Sequence, residues 1–327
     1  MKKVLGIAVL LLAIAVVTTL LSKDPDTGSY TFLSAYNLEN LLQRLGLFGV
    51  LSLAAAFVIV TGGIDLSIGS VVCVAGCLLP WLLKDQGLSP WLALPLVLVL
   101  SAAIGLWHGL LIVGLGLQPF VVTLCGLLLY RGVMRAFTGD QTMGLGEAAE
   151  SLRWLANGRL PITADFGLPA PLLVLLLVAL ATSILWTRTV WGRHLFALGR
   201  NEEAARFAGV PTGRLTVLAY TICALLAGLG GCLFVLDVNS AQASSFGNFY
   251  ELYAIAGAVL GGVALRGGEG MVLGVVLGAS LMQLLQNTIN LVADSNQLEF
   301  AVVGAVILVG AAVDEGVRRL FGGRRRG

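Results

Sequence analysis

The sequence contains little charge and few of the residues that enzymes use for catalysis. Only 12% of its 327 residues are charged, against about 25% in a typical soluble domain. Its two histidines, His108 and His194, lie far apart, and the HExxH motif of a metalloprotease is absent. A Walker glycine loop is also absent, so the chain does not supply an ATPase site. We therefore expect no catalytic site in this chain.

The five cysteines give no sign of a disulfide framework or a metal site. All of them fall inside apolar runs, and none forms a CxxC pair: Cys73, Cys77, Cys125, Cys223 and Cys232. Cysteines in such runs pack as small apolar residues. We expect no metal and no cofactor bound by this chain. The formal net charge of +2 does not indicate a nucleic-acid partner.

Apolar residues, in contrast, are abundant and come in long runs. Hydrophobic residues make up 57% of the chain and the mean hydropathy is +0.93. Runs of about 18–25 apolar residues can cross a hydrocarbon core of about 30 Å. The predicted fold class is all-α, a polytopic membrane protein with one transmembrane domain over residues 1–327. About ten spans are predicted, at 4–21, 40–60, 66–83, 92–113, 119–138, 168–187, 215–236, 250–264, 271–291 and 298–314.

The basic residues are distributed unevenly between the two sides of the predicted membrane. With the N-terminus in the cytoplasm, 13 of the 20 lysines and arginines fall on the inner side and 4 on the outer side. By the positive-inside rule, this bias predicts that both termini are cytoplasmic. The same rule places the charged loop 188–214 in the cytoplasm. Residues 4–21 are interpreted as a span, because the run is longer than the core of a signal peptide.

Within this loop, residues Asn201 to Gly209 are predicted to form one short helix. The side-chain oxygen of Asn201 is suited to cap its start. Glu202 and Glu203 follow, where the helix dipole favours negative charge. Gly209 can adopt the left-handed conformation that ends a helix.

The predicted helix has a small apolar face and is too short to be stable alone. Ala204, Phe207 and Ala208 recur at the spacing of one helical face. Isolated helices need roughly 12–15 residues to be stable in water. We interpret this segment as a helix that a partner protein holds. The alternative is an ordinary capped helix that lies on its own loops.

Two glycine-rich junctions separate apolar runs that would otherwise merge. In the first, Gly62 and Gly63 allow a sharp turn, and Asp65 or Ser67 can cap the next helix. Asp65 has a second interpretation as a gate or partner contact, because a carboxylate at membrane depth is costly. The second junction, residues 261–270, repeats the pattern G-G-(I/V)-x-L-x-x-G. The repeat raises the possibility of an internal duplication.

Polar side chains cluster on the ninth predicted span, at Gln283, Gln286, Asn287 and Asn290. Amides suit hydroxyl-rich solutes, because they donate and accept hydrogen bonds without demanding a counter-charge. We consider these residues candidates for a translocation path. The alternative is hydrogen bonding between helices, worth about 0.6 kcal/mol on average in membranes.

Four further ionisable side chains fall in or near predicted spans. Arg131 and Arg135, near the outer end of the fifth span, are expected to point outward. Glu251, at the start of the eighth span, is expected to pair with one of them or to meet an external partner. His108 is expected to be a packed residue and not a ligand.

Three stretches together resemble the permease subunits of ribose-type ABC importers. They are GGIDLSIG at the first junction, WGRHLFALGRNEEAARFAGV in the loop and YELYAIAGAVLGGVALRGGEG at the second junction. The resemblance implies a permease in the bacterial inner membrane that moves a monosaccharide. It also implies a second permease subunit, a periplasmic sugar-binding protein, and ATP-binding subunits that hydrolyse ATP. The loop helix would then be the coupling helix on the ATPase, through Asn201, Glu202, Glu203, Ala204, Ala205, Phe207 and Gly209.

An ion-coupled secondary transporter of a small polar solute is the alternative function. Such transporters place ionisable residues near the middle of the bilayer to bind protons or sodium. The predicted spans contain almost none, and the charged loop would have no explanation. We therefore favour the importer permease.

Overall fold

The computed structural model describes residues 2–23 and 28–292, and four further residues at 301, 304, 305 and 308. The described part is built from helices: α1 Lys2–Leu21, α2 Ala35–Val60, α3 Ile68–Pro80, α4 Pro90–Leu115, α5 Pro119–Thr138, α6 Glu150–Asn157, α7 Ala170–Arg188, α8 Val190–Arg200, α9 Glu202–Phe207, α10 Thr212–Val238, α11 Tyr250–Leu260 and α12 Val272–Val292. A 3₁₀ turn at Thr31–Leu33 precedes α2, and a π-helical turn at Trp81–Asp85 extends α3.

The helical membrane class predicted from the apolar runs is confirmed. In the described residues, eight helical segments are long and apolar enough to cross a membrane. The predicted span 250–264 is shorter than expected, because α11 has only 11 residues and rises about 16 Å. The predicted span 298–314 lies outside the continuously described residues. The count of ten and the cytoplasmic termini remain predictions.

The connection between α5 and α7 contains structure that the sequence did not predict. Strand β1, Thr142–Gly144, pairs antiparallel with β4, Ser240–Gln242. Strands β2, Arg159–Pro161, and β3, Gly167–Pro169, pair in the same way. Each strand has three residues, so these pairs fasten loops to the helical body without changing the class.

A buried carboxylate joins the start of α2 to the β2–β3 pair. Glu39 is 5% exposed. It forms an ion pair with Arg159 and accepts a hydrogen bond from the Gly167 backbone N–H at 2.7 Å. Because both carboxylate oxygens have a donor, the cost of burying this charge is offset.

Helices α2 and α10 form the centre of the bundle. Residues 45–60 of α2 are buried without interruption, which is the pattern of a helix surrounded by protein. An aromatic cluster joins α2 to its neighbours. The centre of the Phe48 ring lies 5.0 Å from that of Phe234 of α10 and 5.0 Å from that of Tyr250 of α11. The Phe234 and Tyr250 rings lie 4.7 Å apart.

Glycines allow α10 to pack closely against its neighbours. At Gly105 of α4, an added Cβ would overlap the backbone of Tyr220 and lie 2.7 Å from the Ala224 Cβ. At Gly231 of α10, an added Cβ would lie 2.6 Å from the Val72 carbonyl oxygen of α3. Small residues at these crossings let the helix backbones come into contact.

We predict that Gly105→Ala destabilises the bundle whereas Gly132→Ala does not. Overpacking a close contact costs about 1–3 kcal/mol, while alanine in place of an exposed helical glycine gains about 0.5–1 kcal/mol. Gly132 lies within α5 and has no heavy atom within 4 Å of an added Cβ. Thermal unfolding of the two variants in detergent measures the difference. Equal midpoints would contradict the packing role assigned to Gly105.

Candidate functional site

The charged loop between α7 and α10 folds as two helices, α8 and α9, joined at Asn201. The Asn201 side chain accepts a hydrogen bond from the Ala204 backbone N–H at 2.9 Å, so the predicted cap is confirmed. At the other end, Gly209 has φ +79°. The Gly209 and Val210 amides donate to the Arg206 and Ala205 carbonyls, both at 3.0 Å, in the pattern that closes a helix through a left-handed glycine.

Helix α9 turns the apolar face predicted from the sequence away from the bundle. Phe207 is 80% exposed, and Ala204 and Ala208 are exposed too. Ala205 on the opposite face is buried. The face predicted at Ala204, Phe207 and Ala208 is therefore uncovered in this chain alone.

Each of the two glycine junctions ends a helix with the same turn. At the end of α2, the Gly62 amide donates to the Ile59 carbonyl at 2.9 Å and the Gly63 amide to Val58 at 3.1 Å. At the end of α11, Gly262 donates to Val259 at 2.8 Å and Val263 to Ala258 at 3.1 Å. Gly62 has φ +87° and Gly262 has φ +85°.

This correspondence corrects the alignment of the sequence repeat. The repeated pattern aligns Gly62 with Gly261, but the turns align Gly62 with Gly262, one residue later. The turn requires a positive φ at the second residue after the helix, which favours glycine at that position. The resemblance is therefore one of local turn geometry, and the common letters of the pattern are out of register with it.

The end of α8 meets both junctions at one point. The Gly268 amide donates to the Val60 carbonyl at 2.8 Å, and Arg200 Nε donates to the Gly268 carbonyl at 3.3 Å. A Cβ added at Gly199 would overlap the Val60 carbonyl and the Gly268 amide. A Cβ added at Gly267 would lie 2.7 Å from the Gly62 amide and 2.8 Å from the Gly199 carbonyl oxygen. Three backbone segments are thus in direct contact, without side chains between them.

Between α2 and α3 the chain runs inside the bundle without helical hydrogen bonds. The Ile64 carbonyl accepts from the Tyr220 hydroxyl at 3.4 Å and the Thr123 hydroxyl at 3.3 Å. Asp65, 2% exposed, accepts from the Ser67 amide at 2.7 Å and the Ser67 hydroxyl at 2.6 Å. Asp65 therefore organises the start of α3, and Ser67 donates to it instead of capping with its own oxygen.

A second non-helical stretch, residues 239–249, lies between α10 and α11 and packs along α3. The Ala243 carbonyl accepts from Cys73 Sγ at 3.5 Å, and a Cβ added at Gly76 would overlap the Phe246 ring. Gly69 and Gly247 contact each other through their backbones, and the Glu251 carboxylate lies against Gly69. The starts of α3 and α11 therefore meet inside the bundle.

Arg131 corrects the prediction that both arginines of α5 point outward. Its Nη1 donates to the Ala243 and Phe246 carbonyls at 3.0 and 3.1 Å, so it holds the 239–249 stretch from inside. Arg135 does point outward and pairs with Asp140 at 2.7 Å. Glu251 lies within electrostatic range of Arg131, but the hydrogen bonds of Arg131 Nη1 go to the two carbonyls.

A polar group collects around the meeting point of α3 and α11. His108, 1% exposed, shares a 2.7 Å hydrogen bond between its Nε2 and the Tyr130 hydroxyl, as expected for a packed histidine. The interior also holds two buried carboxylates, Asp65 and Glu251, within electrostatic range of each other. The expectation that the spans hold almost no ionisable side chains is therefore too simple, because the junction residues reach into the bundle.

The predicted amide cluster on α12 divides into buried and peripheral residues. Gln283 is 1% and Gln286 7% exposed. Asn287 exchanges hydrogen bonds with Asn37 of α2, at 2.7 Å from its Nδ2 to Asn37 Oδ1 and 3.3 Å in return. Asn290 is exposed. The Asn287 pair joins two helices, whereas solute contact at the four positions remains a prediction.

Several contacts at the site involve residues that the sequence did not single out. Gly69, Gly199, Gly247 and Gly268 matter through backbone contacts with distant segments, and such contacts leave no local pattern. Arg131 was recognised, but its direction depends on the carbonyls of a stretch more than 100 residues away. The frequency of glycine, 42 in all, was the available signal, although it did not indicate which glycines meet.

Comparison with known proteins places the chain among transport permeases. Residues 37–311 match the family model described as "Branched-chain amino acid transport system / permease component". The ribose import permease protein RbsC of Escherichia coli (strain K12) is 34% identical over 93% of this chain and 91% of its own length. RbsC of Bacillus subtilis (strain 168) is 33% identical, covering 87% and 86%. The fructose import permease protein FruF of Bifidobacterium longum (strain NCC 2705) is 32% identical, covering 88% and 80%.

No solved structure gives a significant match to the chain. The family match covers both glycine junctions and the α8–α9 loop. Together with the candidate membrane helices, it makes the chain a multi-pass protein of the inner membrane. The chain therefore belongs to this family of permease components of transport systems.

Proposed function

We propose that this chain is the permease subunit of an ATP-driven importer for a monosaccharide of the pentose or hexose type. The observation that carries this proposal is the similarity, over most of the chain, to permeases named for ribose import, fructose import and xylose transport. The family description names branched-chain amino acids, so these are the competing substrate class. We favour sugars because the names of these full-length relatives agree on them.

In this proposal the chain works with three other kinds of subunit. A periplasmic binding protein delivers the sugar, and a second permease subunit completes the path. An ATP-binding subunit hydrolyses ATP, and this chain binds no cofactor of its own. The residues 1–327 then form a single permease domain, with 188–214 as its cytoplasmic coupling loop.

The exposed face of α9 supports a docking role for the ATP-binding subunit. Asn201, Glu202, Glu203, Ala204, Ala205, Phe207 and Gly209 form the proposed coupling helix. Its cap and its terminal glycine fix its shape, while Phe207 at 80% exposure offers a large ring. Exposed aromatic residues of this kind serve as anchors at protein interfaces.

The backbone contacts at the end of α8 supply a route from the docking helix to the interior. Movement of α9 would displace Gly199 and Arg200, which touch Val60 and Gly268. Val60 immediately precedes the first junction, and Gly268 lies within the second. Gly62, Gly63, Asp65, Ser67 and Glu251 are the proposed gate, because the junction leads from this contact to the meeting point of α3 and α11.

The path itself is proposed to involve Gln283, Gln286, Asn287 and Asn290. Gln283 carries a buried Oε1 with no hydrogen-bond partner among the described residues. A buried amide oxygen without a partner costs free energy, and a hydroxyl-rich solute that donates to it would remove that cost. Gln283 is also the most buried of the four residues, at 1% exposure, and we take it as the first candidate to test for solute contact.

We predict that the assembled transporter takes up ribose but not leucine, and that Gln283→Leu lowers the rate of ribose uptake several-fold. Loss of one hydrogen bond to the solute corresponds to about 1 kcal/mol. Uptake of the radiolabelled compounds into proteoliposomes that contain the full complex measures both effects. The control is Gln86→Leu, which lies in the turn after α3.

Two results would contradict this proposal. Leucine uptake without ribose uptake would assign the chain to the amino acid class named by the family model. Uptake driven by an ion gradient, by this chain alone and without ATP, would favour the secondary transporter, for which the buried Asp65 and Glu251 would be the ion-binding candidates.

We predict that Phe207→Ala weakens binding of the ATP-binding subunit at least about tenfold, because an anchor residue at an interface contributes 2 kcal/mol or more. Co-purification of the two subunits in mild detergent and a binding titration measure the loss. The matched control is Phe120→Ala, which removes an exposed phenylalanine, 51% exposed, at the start of α5. Equal binding by the two variants would remove α9 as the docking element.

We predict that Gly199→Ala separates ATP hydrolysis from transport. The added methyl group would push α8 away from the Val60 and Gly268 backbones while leaving Phe207 exposed. The complex should still assemble and hydrolyse ATP, but sugar uptake should fall at least about tenfold. ATPase and uptake rates measured on the same proteoliposomes test this.

A milder variant protects the test against misfolding. Arg200→Ala removes the hydrogen bond to the Gly268 carbonyl and the packing of the Arg200 side chain on Gly268, but it adds no atom to the contact. We expect a partial loss of uptake with ATP hydrolysis retained. Arg193→Ala, on the exposed side of α8, is the control. If uptake and hydrolysis fall in proportion in both Gly199→Ala and Arg200→Ala, the proposed transmission route is wrong.

A further inference from the structure

A groove opens on the side of the bundle between the end of α4 and the start of α10, beside α9. Its volume is about 630 Å³, within the range of about 300–1,000 Å³ for small-molecule sites. Leu110, Val113 and Val217 form an apolar wall. Leu110 is 50% and Val113 44% exposed, so the wall opens towards the outside of the bundle.

Two arginines line the same groove, Arg206 of α9 and Arg214 of α10. Both are exposed, and within the described part of the chain neither makes an ion pair or a side-chain hydrogen bond. No carboxylate lines the groove. Helix α10 begins at Thr212, so the positive end of its dipole adds to the field of the two guanidinium groups.

These features together fit one chemical class of ligand. A free anion would use the arginines but not the apolar wall, and a neutral lipid would use the wall but not the arginines. The positive-inside count places this end of the bundle in the cytoplasm, where anionic lipids attract basic residues and basic pockets beside helices bind their head groups. We propose that the groove binds an anionic phospholipid of the inner leaflet, with its phosphate on the two arginines and an acyl chain along the wall.

The position of the groove gives the lipid a structural consequence. Arg206 immediately precedes Phe207, and Arg214 lies in the first turn of α10. One phosphate held by both arginines would tie the end of α9 to α10, because guanidinium groups bind phosphate oxygens through paired hydrogen bonds. The lipid would thus hold the exposed face of α9 in position before any protein partner arrives.

The test measures lipid binding to the full-length chain alone, so it does not depend on the proposed transport function. Delipidated protein in neutral detergent is titrated with short-chain phosphatidylglycerol, with phosphatidylcholine of the same chain length, and with inorganic phosphate. Native mass spectrometry counts the bound molecules. We expect one saturable phosphatidylglycerol site, with weaker binding of phosphatidylcholine and phosphate.

Two double variants with the same loss of charge assign the site. Arg206→Ala with Arg214→Ala should weaken phosphatidylglycerol binding at least about tenfold, because each basic residue near an anionic lipid contributes about 1 kcal/mol, or about fivefold. Arg188→Ala with Arg193→Ala removes two exposed arginines of the same loop that do not line the groove, and should leave binding unchanged.

Three outcomes would overturn the proposal. Equal weakening by both double variants would show a general effect of surface charge. Phosphate that binds the groove as tightly as phosphatidylglycerol would show a site for a free anion. The third outcome is unchanged lipid binding by the Arg206 and Arg214 double variant. If that variant also fails to bind the ATP-binding subunit or to self-associate, the groove is a protein interface.

Discussion

The structure depends on how the chain satisfies its backbone where it is not helical inside the bundle. Within a hydrocarbon layer an unpaired amide or carbonyl costs several kcal/mol, so non-helical backbone is tolerated only where protein covers it. Two non-helical stretches, 61–67 and 239–249, enter the bundle here, and their residues 63, 65, 67, 241, 243 and 247 are buried. Tyr220 and Thr123 donate to the first stretch, and Arg131 donates to the second. These donors let two helices begin inside the bundle, where their starts meet at Gly69 and Gly247.

The sequence predicts well what is decided locally. A run of about 20 apolar residues in a membrane forms a helix that spans it, so the long helices coincide with the apolar runs. The cap at Asn201 and the terminator at Gly209 depend on residues within one helical turn, and both are confirmed. The exposed face of α9 follows from the same spacing.

What the sequence could not predict depends on distant partners. The run 250–264 has the composition of a span, but its helix stops after 11 residues, at the turn in which Gly262 has φ +85°. The chain before this helix, residues 239–249, forms turns that pack along α3. Arg131 turns inward because carbonyls of that stretch lie within its reach. The repeated glycine pattern in the sequence is offset by one residue from the repeated turn in the structure. The turn needs a positive φ at one position only, so the other residues of the pattern do not determine its place.

The contact between α8 and the two junctions has a mechanical property that side-chain packing lacks. A leucine between two helices can change rotamer and absorb a displacement of an ångström, whereas two backbones in van der Waals contact cannot. At Gly199, Gly267 and Gly268 the backbones touch directly, and two hydrogen bonds from and to Gly268 hold them together. A shift of α8 towards the junctions would therefore displace both of them. In the proposed importer, this coupling would let one docking helix act on the two half-buried segments whose starts meet inside the bundle.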